Sequence, residues 1–189
     1  MKNKKLLNYS DYLQLEKILS GQELMSAKRG TPAHDEMLFI IVHQVYELWF
    51  KQILHELDSV ITIFKQDSII ESDVSFVVLR LQRIIEIQKI LIDQIRVLET
   101  MTAMDFLEFR DDLFPSSGFQ SAQFRLMENK LGLLNDHRIM YGGKDYTSVL
   151  KKKEKSTVQN SEQEKSLFEL LESWLEPVSY THLTLPTIE

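Results

Sequence analysis

The 189-residue sequence contains no cysteine, which removes thiolate nucleophiles, CxxC redox pairs, disulfides and cysteine-ligated zinc or iron–sulfur clusters together. Metal-binding and acid–base chemistry is left to histidine and the carboxylates. Basic charge is also short: 22 Lys and Arg stand against 28 Asp and Glu, a net charge of −6. That balance disfavours a phosphate-tracking surface, and no nucleic-acid partner is expected. The basic run Lys151-Lys152-Lys153-Glu154-Lys155 lies among polar residues without interleaved aromatics and reads as a solvated loop rather than a binding patch. No apolar run is long. The stretch 37–42 falls far short of the roughly 20 residues that span a bilayer, so no membrane partner is expected. After Met1-Lys2-Asn3-Lys4-Lys5 only Leu6-Leu7 is apolar before polar residues resume, which is too little for a signal peptide. These exclusions predict a soluble, cytoplasmic protein.

Proline and glycine are scarce, 4 and 6 residues respectively, and their positions parse the chain. No proline lies between Pro32 and Pro115 and no glycine between Gly30 and Gly118. Such a window reads as long helices. The first is expected to open at Thr31 as N-cap, with Pro32 at its first position and Asp35 and Glu36 in its first turn, and to run to Phe64. The polar break 65–68 separates it from a second helix capped by Ser72 or Asp73. There Val74, Val77, Leu81, Ile84, Gln88, Leu91, Ile95 and Leu98 keep a 3-4 spacing, and Val78, Ile85 and Ile92 widen the stripe.

Shorter helices are expected through 105–112, ending before Pro115, and from a Ser117/Gln120 capping box to Gly132. At the front, Ser10 caps a helix through Leu13, Ile18 and Leu19 that stops at Gly21. Residues 135–161 read as a polar loop, and a last helix covers 162–175. No β pattern and no repeat competes. The fold class is all-α, and a chain of this length buries enough surface to hold a core without crosslinks.

His43 sits within the first long helix, with Glu36, Phe39, Ile40, Glu47 and Phe50 at helical spacing. The spacing admits a core imidazole hydrogen-bonded to a neighbour such as Glu47, or a functional one. Glu-x-x-His pairs for a di-iron bundle and HExxH are both absent, and Gly142-Gly143-Lys144 lacks the rest of a phosphate loop. The second unusual stretch is Phe109-Arg110-Asp111-Asp112-Leu113-Phe114-Pro115-Ser116-Ser117-Gly118-Phe119-Gln120-Ser121. An arginine near a serine-glycine turn among aromatics fits an anion site, because a guanidinium offers a planar fork to a carboxylate. It equally fits a surface pair of Arg110 with a neighbouring aspartate, next to a helix cap.

The string running from His34-Asp35-Glu36-Met37-Leu38-Phe39-Ile40-Ile41-Val42-His43 through Gln44-Val45-Tyr46-Glu47-Leu48-Trp49-Phe50-Lys51 resembles a signature of the tryptophan 2,3-dioxygenases. So do Phe109-Arg110, Ser117-Gly118-Phe119-Gln120-Ser121 and Phe124-Arg125. The segment Tyr9-Ser10-Asp11-Tyr12-Leu13 and the helix 162–176 match as well, so the likeness runs from Asn8 to Glu176. It implies an all-α long-helix bundle that here is incomplete at its C-terminus. It also implies a haem b enzyme, usually a homotetramer, that adds both atoms of O2 across the indole C2–C3 bond of L-tryptophan. The product, N-formyl-L-kynurenine, begins tryptophan catabolism by the kynurenine pathway.

By the resemblance, His43 is the catalytic-site histidine, meeting the indole N–H as an orienting group. Phe39, Ile40, Ile41, Val42 and His43 form one pocket wall. Arg110 clamps the substrate carboxylate, and Tyr9, Tyr12 and Leu13 complete the site of a neighbouring subunit. Ser117 and Gly118 meet the haem edge, and Phe106 stands where some members carry a tyrosine. The axial histidine of the family comes from a later helix, so no metal ligand is assigned among His34, His55, His137 and His182. Residues 1–176 read as the N-terminal portion of the haem domain, and 177–189 match nothing expected and read as foreign or read-through sequence. The chain is accordingly expected to be an inactive fragment; the alternative is a non-catalytic helical interaction module.

Overall fold

In the computed structural model the described residues are 6–134, 137–138 and 145–181, with side chains described through 176. They are helical, with no strand among them, as the punctuation predicts. The chain forms two units, Met1–Gln44 with Arg96–Pro115 and Val45–Ile95 with Ser116–Glu189. The long helices α4 (Glu36–Phe64) and α5 (Glu71–Leu98) each contribute to both.

The first unit begins with α1 (Tyr9–Leu13) and α2 (Leu15–Leu19). The cap of α1 is Asn8, whose side chain accepts from the Asp11 amide at 2.8 Å, rather than Ser10. Gln14, in the left-handed region at φ 53°, breaks the expected single helix into two. A third short helix, α3 (Met25–Lys28), follows.

Helix α4 opens at Glu36, so the expected Thr31 cap and helical Pro32 are corrected. The physical reason is Ser26. Its carbonyl accepts from the Thr31 amide at 3.3 Å and its hydroxyl from the Ala33 amide at 2.9 Å. Residues 31–33 are thereby held in a turn whose donors are satisfied without a helix.

Farther on, α6 (Ala103–Leu107) is closed at its start by a Thr102/Asp105 capping box. The expected 105–112 helix does not continue, because Phe109 leaves helical geometry at φ −126°, ψ −2°. Its side chain is fully buried, and a 3₁₀ turn covers Arg110–Leu113.

In the second unit, α4 buries Ile53, Leu57, Val60, Ile61 and Ile63, and α5 buries Val77, Ile84, Ile87 and Leu91, in one core with Met127, Leu167 and Leu170. Helix α5 opens at Glu71, so the expected Ser72 or Asp73 cap is corrected: both lie inside the first turn, where the Asp73 carboxylate reaches back to accept from the Ile70 amide at 3.4 Å. The apolar stripe is narrower than the spacing predicts, because Val78, Ile85 and Ile92 are exposed. The Ser117/Gln120 box exists but opens only a 3₁₀ turn, Gly118–Gln120; α7 (Ala122–Leu131) starts afresh from Ser121, whose side chain accepts from the Phe124 amide.

The expected 135–161 loop is corrected over its second half. A 3₁₀ turn covers Tyr146–Val149 and α8 covers Lys152–Ser161, so the basic run opens a helix. Its anchor is a buried patch of Tyr146, Leu150 and Val158 that the polar flanks conceal in sequence. The Tyr146 hydroxyl donates to Glu162, and burial together with that bond pushes the phenol up to about 12. Last, α9 (Leu167–Thr181) starts later than expected, behind a Ser166 cap, and runs past the expected boundary at Glu176.

Gly132 ends α7 in the left-handed region at φ 99°, as its position in the sequence predicts. A Cβ there would stand 2.9 Å from Phe168 Cβ and 3.0 Å from Ser166 Oγ, at the start of α9. Gly132→Ala should therefore cost about 1–2 kcal/mol from backbone conformation alone, plus the displacement of α9. Urea denaturation of the variant against wild type measures it.

Candidate functional site

A helix advances 100° per residue, so on α4 Phe39 and His43 share a face one turn apart. Their rings meet, centroids 4.1 Å apart and tilted by 36°. His43 Nδ1 lies 2.7 Å from the Phe39 carbonyl oxygen. A carbonyl only accepts, so Nδ1 carries the proton, and in the neutral ring Nε2 is left with its lone pair as an acceptor. The Glu47 partner admitted by spacing is not used; that carboxylate accepts from Gln123 Nε2 at 2.7 Å.

From α6 and the turn after it, Phe106 and Phe109 close on Phe39 at 5.7 Å and 5.6 Å, and pack on each other nearly perpendicular at 5.4 Å. Edge-to-face rings of this kind contribute about 0.5–1.5 kcal/mol per pair beyond burial. The Arg110 guanidinium then sits over the Phe106 ring, 5.6 Å from its centroid. A chain of contacts thus runs from imidazole through two phenyl rings to guanidinium, all within the first unit. Among the described residues no carboxylate pairs with Arg110. Of the two neighbouring aspartates, Asp112 stands 3.2 Å from Arg29 Nη2 instead.

The rest of the expected wall divides between interior and surface. Val42 is 3% exposed and packed inward, Ile40 is half-buried, and Ile41 is exposed on an open concavity with Leu24, Pro32, Met37 and Leu38. Tyr9 and Tyr12, 73% and 71% exposed, and Leu13 stand at the surface of α1.

Ser117 and Gly118 belong to the second unit and are exposed. Ser117 Oγ accepts from the Phe119 amide at 3.4 Å, and no atom lies within 4 Å of where a Cβ on Gly118 would stand. His34, His55 and His137 are exposed, and His182 lies outside the described residues. That unit also carries an apolar groove lined by Val45, Leu48, Trp49, Ile87 and Ile90.

What holds the cluster carries no mark in the sequence. Glu36 reads as a carboxylate favouring the helix dipole, yet it is fully buried. It accepts from the Met25 amide at 2.7 Å, from the Ser26 amide at 3.0 Å and from the Ser26 hydroxyl. Burial alone would raise its pKa, but these bonds and the nearby Arg29 charge outweigh it and hold the carboxyl below its usual value. No local spacing signals a partner ten residues upstream.

Compared with known proteins, residues 2–181 match the family model described as tryptophan 2,3-dioxygenase. The chain belongs to the tryptophan 2,3-dioxygenase family. A tryptophan 2,3-dioxygenase of Alteromonas mediterranea is 54% identical over 167 residues, covering 88% of this chain and 46% of that relative. That of Dictyostelium discoideum is 52% identical, covering 89% and 42%, and that of Rattus norvegicus 53% identical, covering 90% and 42%. The chain spans less than half the length of these tryptophan 2,3-dioxygenases. The family match extends beyond Glu176, where the resemblance read from sequence stops.

Because the Glu36 pKa is depressed in the folded state, its contribution is present above the unfolded value and is lost as pH falls through the lowered folded value. Glu36→Gln should destabilise the protein by about 1–3 kcal/mol at neutral pH, since a charged acceptor of buried donors is lost. The gap between variant and wild type should close on acidification below the usual carboxylate range. Denaturation midpoints between pH 3 and pH 7 check both.

Proposed function

We propose that this chain carries the tryptophan-recognition portion of a haem-dependent tryptophan 2,3-dioxygenase. In the reaction of the whole enzyme, O2 opens the indole ring of L-tryptophan to N-formyl-L-kynurenine, the entry to kynurenine-pathway catabolism. One observation carries the reading: His43 and Arg110 stand on one aromatic cluster, joined through Phe39 and Phe106.

The chemistry of the donor set suits the substrate. An indole packs on phenyl rings, its N–H needs an acceptor, and His43 Nε2 is one. Its carboxylate needs a forked cation free of other carboxylates, and Arg110 is one. His43 acts by orienting the ring, because indole N–H is too weak an acid for a neutral histidine to deprotonate. Phe39 gives the stacking surface, with Ile40 beside it, while Val42 and Ile41 support the wall from the buried and exposed sides. Phe106 offers a plain phenyl face.

Haem, when bound, supplies the oxygen chemistry. Ser117 and Gly118 fit its edge, with an exposed hydroxyl and open space above the glycine backbone. Among the described residues no group of three or more His, Asp or Glu is placed to hold a metal ion. We assign no iron ligand, and the chain by itself is proposed to recognise substrate without turning it over. The exposed Tyr9, Tyr12 and Leu13 support a homotetramer in which α1 completes a neighbouring subunit's site. The whole enzyme is proposed to be cytoplasmic; no helix among the described residues is long and apolar enough to cross a membrane.

A second reading, a non-catalytic helical interaction module, is favoured by the exposed Val78, Ile85 and Ile92, seven residues apart on α5. Calorimetry separates the two. L-tryptophan should bind this chain in preference to tryptamine, which lacks the carboxylate, and Arg110→Ala should weaken L-tryptophan at least about tenfold while sparing tryptamine. Methylation of the indole nitrogen should cost about fivefold, the worth of one hydrogen bond. If neither ligand binds, or Arg110→Ala treats both alike, the recognition reading is wrong and the interaction module stands.

A further inference from the structure

Arg110 approaches the ring cluster from a short turn, and a short turn cannot hold a long side chain in place by itself. What holds this one is a set of residues that the recognition reading leaves unused. Arg29, at the C-terminal cap of α3, sends Nη2 to the Glu108 carbonyl oxygen at 2.9 Å. The same nitrogen lies 3.2 Å from Asp112 Oδ2, which accepts no hydrogen bond, so the contact is one of charge. One guanidinium therefore grips the backbone two residues before Arg110 and the carboxylate two residues after it.

At its other end α3 is fixed to α4 through Glu36, whose carboxylate takes the Met25 and Ser26 amides and the Ser26 hydroxyl. Both Glu36 and Ser26 are fully buried. Glu36 lies in the first turn of the helix that carries Phe39 and His43. The path Glu36, Ser26, Arg29, Glu108 and Asp112 thus connects the imidazole-bearing helix to the guanidinium-bearing turn by polar bonds, alongside the ring contacts.

We propose that Arg29, anchored through Ser26 and Glu36, is a positioning residue that fixes the Arg110 turn against the His43 helix and so sets selectivity for a ligand carboxylate. It touches no ligand. The inference rests on the recognition reading for its consequence but not for its structural part. Asp112 serves a double purpose in it. Paired to Arg29, it braces the turn, and it is kept from neutralising Arg110, the cation the ligand needs. A surface ion pair alone contributes little, so the backbone grip on Glu108 is the element that makes the brace directional.

The test uses the full 189-residue chain in two arms. In the first, amide hydrogen exchange is followed across 108–113. Arg29→Ala should speed exchange there about tenfold while leaving the α4–α5 core amides unchanged, and Arg29→Lys should recover most of the protection. In the second, calorimetry compares L-tryptophan with tryptamine. Arg29→Ala should weaken L-tryptophan about fivefold to tenfold and tryptamine less than about twofold, with partial rescue by lysine. Asp112→Asn, which keeps the Glu108 bond, should give the same pattern at smaller amplitude and serves if Arg29→Ala does not fold.

Unchanged exchange in 108–113 overturns the brace whatever the ligands do. Equal weakening of both ligands overturns the positioning role, since damage of a general kind would not single out the carboxylate. Failure of the recognition reading has a different signature: Arg110→Ala would leave the preference for L-tryptophan over tryptamine intact.

Discussion

The contact between the Phe39 and Phe106 rings, 5.7 Å between centroids, is the constraint on which the functional account depends. Phe39 carries His43 on the next turn of the same helix, and Phe106 lies four residues before Arg110. That contact is the direct apolar link between the segment that bears the imidazole and the one that bears the guanidinium. With it, an acceptor and a forked cation stand at the two ends of one apolar surface. Phe109, fully buried, packs on both rings.

This arrangement divides the work between apolar and polar forces. Ring packing is weakly directional and tolerates sliding of one segment along another. The buried Glu36 with its three donors and the Arg29 grip on Glu108 are strongly directional. Packing brings the segments together and the hydrogen bonds choose the register. The cost is a buried carboxylate that is satisfied only while ionised.

The long helices were legible in the sequence because nothing interrupts them: the window without proline or glycine coincides with α4 and α5. Gly132 was legible for the same local reason. The true start of α4 was not, since Thr31-Pro32 has every local mark of a helix opening and is overruled by bonds to Ser26. Residues 146–161 look like loop in sequence because the only buried apolar residues there are Tyr146, Leu150 and Val158, too few to print a period on so polar a segment. Of the site, His43 and Arg110 were picked out by residue type and by family resemblance, but Glu36, Ser26 and Arg29 act across distances in sequence that no spacing rule covers.

An aromatic amino acid should settle on the Phe39–Phe106 ring cluster, and nuclear Overhauser effects with isotope-labelled L-tryptophan locate it most directly. Cross-peaks from the indole protons to the Phe39, His43 and Phe106 rings, with the ligand α-proton near the Arg110 side chain, are the predicted result. Cross-peaks to Leu48, Trp49 and Ile87 in the groove of the second unit, with none to the His43 ring, would contradict it.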